Sequence, residues 1–428
     1  MLNERNAFQQ LMYYWAGLHP YNAITIVKVA GPADVNRLRR AMGKIHESLG
    51  ISRLRSYDHT YELDVGSSEV VVEEMEATDR GDLEALAARA TFELNRPFEA
   101  SPSLPVRLFV LVREGYHYIG RTYQHWIGDA YSMNSLFCRV LAEYLDVEPP
   151  AGLGATDRHC PPFRRVFLTS AGPYRWCAHV ARLAGELVRF GRCHRPAHGD
   201  ESDVMAQARF PSLSDDTLPR LSAAARRLGV TVNDLMLAAL AEAVAVATPE
   251  RLLDGRRRNL ALTSIVDLRP LRPERLQAAM GLYLSYFNVI CPWDEAHFER
   301  LLTTIHAQTM AAKARRVYLQ ALIELQLAVT LWPRIPLARR VAFFSRRKPV
   351  GGAVTNIRVP EVWLSGALGE AVSGWWRVAS TGPLVPLVLT VTTAGGRLTC
   401  GIATRASGFR SDAVESIERV FCDRLAAL

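Results

Sequence analysis

The feature that most restricts the fold is a β-hairpin that leads directly into a helix. Residues 106–113 (VRLFVLVR) and 117–124 (HYIGRTYQ) are rich in β-branched and aromatic side chains, and the turn residues Glu114-Gly115 separate them. Apolar side chains then recur at helical spacing over 132–145. The short loop between hairpin and helix is therefore predicted to lie at a strand end, where a rigid scaffold can hold reactive side chains.

The rest of the chain repeats this mixture of strands and helices. In the first half the pattern predicts strands at 23–30 and 69–72 and a helix that begins at Asp34. In the second half it predicts helices at about 214–228, within 295–331 and from 411, a helix capped by Thr231 and Asp234, a strand at 259–266, and a hairpin of 385–393 with 397–404. We therefore expect an α/β protein with helical layers on mixed sheets.

A change of composition between about residues 149 and 203 indicates a boundary between two lobes. The segment begins with proline and glycine (PPAGLG) and continues into a basic helical stretch that contains Trp176. We expect an N-terminal lobe over 1–170 and a C-terminal lobe over 171–428, which includes the linker up to about 203.

Composition excludes several classes of protein. Hydrophobic residues make up 49% of the 428 residues and charged residues 22%, which is ordinary globular usage. The seven cysteines form no CxxC pair, which argues against a disulfide framework or structural zinc and favours a reducing cytoplasm. No signal sequence or membrane-length apolar run occurs, so neither export nor stable membrane insertion is expected.

The chain is basic, with a formal net charge of +8. Such an excess attracts nucleic acid, anionic lipid, phosphorylated cofactors or acidic proteins without choosing among them. The arginine clusters at 256–258 and 339–348 lack the aromatic platform of a nucleic-acid binder, so no nucleic-acid partner is expected. A solvated basic face is the alternative.

The loop after the hairpin carries the pair His125 and Asp129, in the order HxxxD. The sequence contains no GxSxG, HExxH, Walker or complete GxGxxG motif, so the common hydrolase, metalloprotease, nucleotidase and dehydrogenase classes lack their signatures. A histidine at a strand end can act as a general base because its ordinary pKa is about 6.5. The alternative is a buried, hydrogen-bonded histidine with no chemical role.

Four segments in order resemble one family. They are HPYNAITIVKVAGPADVNRLRRAMGKI near the start, HWIGD at the loop, DLRP at 267–270, and MGLYLSYFNV after it. Together they resemble the condensation-domain-like HxxxD acyltransferases of the chloramphenicol-acetyltransferase-like superfamily. The superfamily includes peptide-synthetase condensation domains, plant-type enzymes, wax-ester synthases and polyketide-associated acyltransferases.

The resemblance implies two similar lobes that meet at a V-shaped cleft with the histidine at its centre. It implies that His125 deprotonates an alcohol or amine, which attacks the thioester of acyl-CoA or of an acyl carrier protein's phosphopantetheine arm. Asp129 would pair with an arginine and hold the loop, and Arg269 is the candidate partner. No bound cofactor or metal is expected, a monomer would suffice, and natural-product biosynthesis is the implied setting.

The oxyanion donor is less clearly marked. Asn356 resembles the family's second-lobe asparagine region, and Thr392 and Thr393 lie near a strand end; a turn asparagine and strand threonines are the structural alternatives. Gln124 and Gly128 are further cleft candidates.

The sequence also departs from the family's pattern. Gln124 stands where condensation domains usually have a second histidine, and Ala130 stands where they have a glycine, which leaves the loop geometry in doubt. The plant-type DFGWG segment is absent. Two alternatives therefore stay open: an epimerase-type relative, or a non-catalytic module that recruits a carrier protein or partner enzyme.

The apolar stretch 317–332 (VYLQALIELQLAVTLW) also has several interpretations. It could line a tunnel for a long acyl chain, or rest on a membrane surface. We favour an ordinary core helix, since apolar helical stripes usually face the core.

Overall fold

The computed structural model describes residues 2–66, 70–75, 79–99, 104–154, 156–158, 185–198, 203–292, 297–382 and 384–428. The strands are β1 (Leu2–Glu4), β2 (Asn22–Ala30), β3 (Arg53–Ser56), β4 (Thr60–Asp64), β5 (Val72–Glu74), β6 (Val106–Arg113), β7 (Tyr116–Gln124), β8 (Cys193–His194), β9 (Ala206–Arg209), β10 (Asn259–Asp267), β11 (Leu284–Cys291), β12 (Gly352–Arg358), β13 (Val372–Ala379), β14 (Leu387–Ala394) and β15 (Arg397–Arg405). The helices are α1 (Ala7–Ala16), α2 (Val35–Ser48), α3 (Asp82–Asn95), α4 (Ala130–Leu145), α5 (Thr217–Leu228), α6 (Val232–Ala247), α7 (Pro273–Leu276), α8 (Phe298–Ala314), α9 (Val317–Leu331), α10 (Leu337–Arg347), α11 (Gly366–Ala371) and α12 (Ser411–Ala427).

The first half is built around a five-stranded sheet in the order β13-β2-β7-β6-β5. Nearly all residues of strand β2 are buried. Because successive side chains of a strand point to opposite sides, both faces of β2 are covered. Ile24 and Ile26 join the core on the side of α3, whereas Val27 and Val29 join the core that includes residues of α2 and α4. The outer strand β13 comes from the second half of the chain and pairs antiparallel with β2.

The second half is built around a seven-stranded sheet in the order β11-β10-β12-β14-β15-β9, with β8 paired to β10. Helix α6 packs against this sheet, and most of its residues are buried. Its start is fixed by a capping box, in which Thr231 Oγ1 accepts from the Asp234 N–H and the Asp234 carboxylate accepts from the Thr231 N–H. Strands β1, β4 and β3 form a separate three-stranded sheet.

Most of the local predictions are confirmed. The hairpin is β6 and β7, the following helix is α4, and the sheets are mixed, with parallel pairs such as β10 with β12 beside antiparallel ones. The strand predicted at 69–72 is observed later, at Val72–Glu74, and Glu69 lies outside the described residues. The predicted lobe limit at 170 and the basic stretch with Trp176 also lie outside them.

No single helix in the described part of the chain is long and apolar enough to cross a membrane. Helices α5 and α6 pass the length and composition criterion only as a pair, and they are bent by 98° relative to each other.

Candidate active site

A cavity of about 570 Å³ lies where the two halves of the chain meet. Helix α1, the loop after β7 and strand β13 contribute to its walls, as do β10, β11, β12, α9 and α10. Most of the lining side chains are apolar, and the polar ones include His125, Asp267, Asn356 and Arg377. An apolar cleft with a few convergent polar groups is the usual form of a small-molecule site.

His125 is half-buried and lines this cavity. Its backbone N–H donates to the Tyr21 carbonyl at 2.9 Å, and its ring lies nearly parallel to the Tyr21 ring, with centroids 5.7 Å apart. Tyr123 meets the imidazole edge-on, with centroids 6.0 Å apart. These aromatic contacts fix the ring at the end of β7. Nδ1 is buried with no hydrogen-bond partner among the described residues, so neither ring nitrogen is tied to a neighbouring side chain there.

The imidazole is uncharged at neutral pH. Burial lowers the pKa of His125 to about 4, and the nearby positive charge of Arg377 acts in the same direction, while close backbone groups at residues 125 and 128 oppose it. An uncharged imidazole has a lone pair available, which is the state that a general base requires.

Asp129 and Arg269 form a buried ion pair between the two halves of the chain. The side chains are 2% and 5% exposed, and Arg269 donates from Nε and Nη2 to the two carboxylate oxygens at 3.0 to 3.2 Å. The carboxylate also accepts the backbone N–H groups of Ser132 at 2.9 Å and Tyr283 at 3.0 Å. The described hydrogen bonds of Asp129 thus go to these partners and not to His125, so the carboxylate holds the loop rather than the imidazole.

Arg269 extends this network to the segment before β11. Its guanidinium donates to the carbonyls of Leu276, Ala279 and Gly281, and to Ser132 Oγ at 2.6 Å. The Gly281 carbonyl also accepts the Asp129 N–H at 2.9 Å. The DLRP segment and the following MGLYLS segment therefore clamp the HxxxD loop from the opposite half.

The structure resolves the doubt that Ala130 raised about the loop. Ala130 is the first residue of α4 and its φ is not positive, so the position makes no demand for glycine. Asp129 caps the helix instead, through the Ser132 N–H.

Gln124 and Gly128, which we expected at the cleft, are not among the lining residues. The Gln124 side chain accepts from Trp126 Nε1 at 2.8 Å, and a Cβ at Gly128 would lie 3.0 Å from Met133 Sδ.

The three oxyanion candidates fall in different places. Asn356 lines the cavity with an exposed side chain on β12. Thr393, near the end of β14, does not line the cavity, and its backbone carbonyl accepts the Val359 N–H at 2.8 Å. Thr392 is 1% exposed and also lies away from the cavity lining. The threonines that line the cavity are others, Thr263, Thr355 and Thr381.

Sequence reasoning missed Arg377, a buried cation in the cavity wall. Its side chain is 6% exposed, and Nη1 is buried with no hydrogen-bond partner among the described residues. Burial lowers the pKa of Arg377, with the charge of Asp129 opposing the shift. The residue lies on β13 opposite Thr25 of β2, so it reaches the site only through a pairing between distant parts of the chain. A charge inside the apolar run GWWRVA was the signal that could have found it.

Asp267 is a second missed group. It ends β10, and its side chain is exposed to the cavity, while its carboxylate accepts the Arg269 N–H at 2.9 Å. The apolar surroundings and the nearby negative charge of Asp129 raise the pKa of Asp267 to about 6.

In the described part of the chain, no group of three histidine, cysteine or acidic side chains lies close enough together to hold a metal ion.

Helix α9 is only partly the core helix that we expected. Leu322 and Leu325 are buried, but Leu327 and Leu331 are exposed and line the cavity. The Tyr286 hydroxyl and the Lys348 ammonium both donate to the Glu324 carboxylate, so the charges of Lys348 and Glu324 compensate each other.

No protein-family model matches the chain, and no curated protein matches it in sequence. Solved structures do match. The chain is similar over its whole length to the nonribosomal peptide synthetase FmoA3, with a TM-score of 0.68 and 17% identity, and spans 44% of that longer chain. It is also similar to the first condensation domain of the CDA synthetase, with a TM-score of 0.65, 15% identity, and coverage of 100% of this chain and 96% of that one. The cyclization-docking bidomain of the EpoB synthetase from Sorangium cellulosum matches with a TM-score of 0.66 and 15% identity, over 99% of this chain and 83% of that one.

These likenesses identify the fold as two chloramphenicol-acetyltransferase-like lobes around a cleft. Within that class the chain is condensation-domain-like, which confirms the resemblance inferred from the sequence at the level of the fold.

Proposed function

We propose that this protein transfers an acyl group from a thioester to an alcohol or amine, with His125 as the general base. The observation that carries the proposal is the position of the His125 imidazole, held by Tyr21 and Tyr123 at the wall of a cavity between two lobes, where burial lowers the pKa and favours the uncharged form. A base of this kind needs no metal and no covalent acyl-enzyme to promote attack on a thioester.

In the proposed reaction the acceptor's oxygen or nitrogen attacks the thioester carbonyl carbon while its proton passes to His125. The tetrahedral intermediate then expels the thiol sulfur, which takes the proton back from the imidazolium. The products are an ester or amide and a free thiol, so all atoms and charges balance. Asp129 and Arg269 touch neither reactant in this scheme, and act by holding the loop that carries His125.

Arg377 supports the proposal as a donor to the oxyanion of the intermediate. It is a cation of the cavity wall with a buried, unpartnered Nη1 among the described residues, and a fixed positive donor is the group that a developing negative oxygen needs. Asn356 is the weaker candidate, because its side chain is exposed.

Charge also favours a phosphate-bearing donor. Arg347 and Arg358 line the cavity with exposed side chains, and either could meet the phosphates of coenzyme A or of a phosphopantetheine arm. We place the protein in natural-product biosynthesis, since its structural relatives belong to nonribosomal peptide synthetases. A carrier protein is accordingly the proposed alternative to free coenzyme A.

The test is release of free thiol from panels of acyl-CoA and acyl-carrier-protein donors with pooled amines and alcohols, with products weighed by mass spectrometry. We expect release to require an acceptor, and His125→Ala to lower it by about 10²- to 10⁴-fold. His59→Ala is the matched control, because that side chain is exposed on the β3–β4 turn and lies away from the cavity.

Three outcomes would contradict the proposal. Wild-type turnover in His125→Ala would remove the general base. Deuterium uptake at the donor's α-carbon without a condensed product would indicate an epimerase-type activity. No thiol release from any donor, together with equal binding of carrier protein by the wild type and His125→Ala, would indicate a recruitment module.

A further inference from the structure

One side of the cavity is an apolar wall built by three helices. Its residues are Leu11 of α1, Leu327, Ala328 and Leu331 of α9, and Phe343 and Phe344 of α10, and all six line the cavity that also contains His125. None of these six side chains carries a charge or a hydrogen-bonding group. The wall therefore offers contact surface only to another apolar group.

The wall is held in place by stacked aromatic rings. Phe344 of α10 stacks on Trp332, with centroids 5.4 Å apart, and Trp332 stacks on Tyr14 of α1, with centroids 6.1 Å apart and planes within 3°. Trp332 is 1% exposed, so this stack forms a fixed support behind the wall. The three helices are thus tied together at one end of the cavity.

The wall is nevertheless uncovered. Leu327 is 44% exposed and Leu331 43% exposed, and no described side chain of α10 is fully buried. Apolar surface of this extent left in water is unfavourable, and large uncovered apolar surfaces usually mark a binding site. Two cations lie near the wall. Lys348 donates to Glu324, and the Arg347 guanidinium lies 3.6 Å from the centroid of the Phe343 ring, so one face of Phe343 is covered, while Leu327 and Leu331 are not.

We propose that the apolar wall binds the alkyl chain of a long-chain acyl donor. The inference rests on the proposed function, because the same cavity holds the base that would attack the chain's thioester. Its volume of about 570 Å³ lies within the range of about 300–1,000 Å³ typical of small-molecule sites. A short polar aminoacyl group would leave Leu327 and Leu331 in water, whereas an alkyl chain would cover them.

The test measures binding without catalysis. S-ethyl, S-hexyl, S-decyl and S-tetradecyl thioethers of pantetheine have no carbonyl to attack, so their dissociation constants report contact with the cavity alone. Full burial of a methylene tightens binding about fourfold, and the four methylenes between hexyl and decyl would give about 200-fold as an upper limit. We expect a gain of at least about tenfold in the wild-type protein.

Ala328→Trp places a large side chain in the cavity at the apolar wall and so occupies the space proposed for the alkyl chain. We expect this variant to lose the gain from the longer chains and to bind the S-ethyl compound like the wild type. Gln326→Trp is the matched control, because Gln326 is exposed on the same helix and does not line the cavity. If Ala328→Trp does not fold, Leu331→Gln replaces it, since a polar side chain is tolerated at an exposed position.

Equal affinity for all four thioethers would overturn the inference, and so would a chain-length gain that survives in Ala328→Trp. The result is separate from that of the thiol-release assay. Chain-length-dependent binding with no thiol release would support the wall and contradict the transferase. Thiol release from short acyl donors, with no effect of chain length on binding, would support the transferase and contradict the wall.

Discussion

Replacing Arg269 by Met should destabilise the protein strongly, because the substitution removes the buried partner of Asp129 in the loop that carries His125. Arg269 and Asp129 are both almost fully buried, and the substitution removes three hydrogen bonds to the carboxylate. Breaking a buried ion pair by removing one partner typically costs about 3–5 kcal/mol, because the other charge stays buried without compensation. Asp129 would keep the N–H groups of Ser132 and Tyr283, but the three carbonyls and the Ser132 hydroxyl to which Arg269 donates would also lose a donor, so we expect the upper end, about 5 kcal/mol.

The assay is urea unfolding followed by tryptophan fluorescence and by circular dichroism, with coincident transitions as the test of two-state behaviour. The double variant Asp129→Asn with Arg269→Met removes both charges, so its loss should be smaller than the sum of the single losses by about 1–3 kcal/mol. Arg410→Met is the control, since Arg410 pairs with Asp412 in solvent and should cost under about 0.5 kcal/mol.

A loss below about 1 kcal/mol for Arg269→Met, with additive effects in the double variant, would refute the reasoning. It would mean that the ion pair does not fasten the HxxxD loop. Full stability of Asp129→Ala combined with complete loss of thiol release would instead assign Asp129 a chemical role.

Three further predictions concern the cavity. Because burial holds the pKa of His125 near 4, kcat/KM should stay level as the pH falls from about 8 to about 5; an acid limb centred at 6.5 would mean a solvated imidazole. Arg377→Met should lower kcat by about 10²- to 10³-fold with little change in KM, and Arg377→Lys should restore part of it, whereas a change in KM alone would assign Arg377 to substrate binding. The pKa of Asp267 is raised from 3.8 to about 6 in the folded protein, so its ionisation destabilises the folded state as the pH rises through that interval. Asp267→Asn should therefore raise the melting temperature at neutral pH and leave it unchanged below about pH 4. An equal effect at both pH values would contradict the raised pKa.

The sequence predicts those parts of the site that depend on neighbouring residues. The β6–β7 hairpin, the loop after it and α4 follow from β-branched runs, a Glu-Gly turn and helical spacing, all within 40 residues of one another. His125 could therefore be located at a strand end before the structure was known. The pairing of Asp129 with Arg269 was suggested only by the family resemblance, because no local pattern connects residues 140 positions apart.

The groups that the sequence did not reveal all depend on contacts between distant segments. Arg377 reaches the cavity because β13 leaves the second half and pairs with β2, and the register Arg377 to Thr25 cannot be read from either strand alone. Thr393 was expected in the cleft because it lies near a strand end, but it is not among the residues that line the cavity. Position along a strand was predictable in both cases, and the face that meets the cavity was not.

The contacts that build the site also join the two halves of the chain. The Gly281 carbonyl accepts the Asp129 N–H, Ser132 Oγ–H and Arg269 Nη2, and the adjacent Leu282 carbonyl accepts Asn6 Nδ2 at 2.7 Å. The loop that carries His125, the start of α1 and the DLRP segment therefore converge on a single short stretch before β11. Since α1 also supplies part of the apolar wall, any shift between the two halves would move the base and the proposed chain-binding surface together. A substitution at this junction should therefore change thiol release and thioether binding for donors of every chain length, whereas Ala328→Trp should change both for long chains alone.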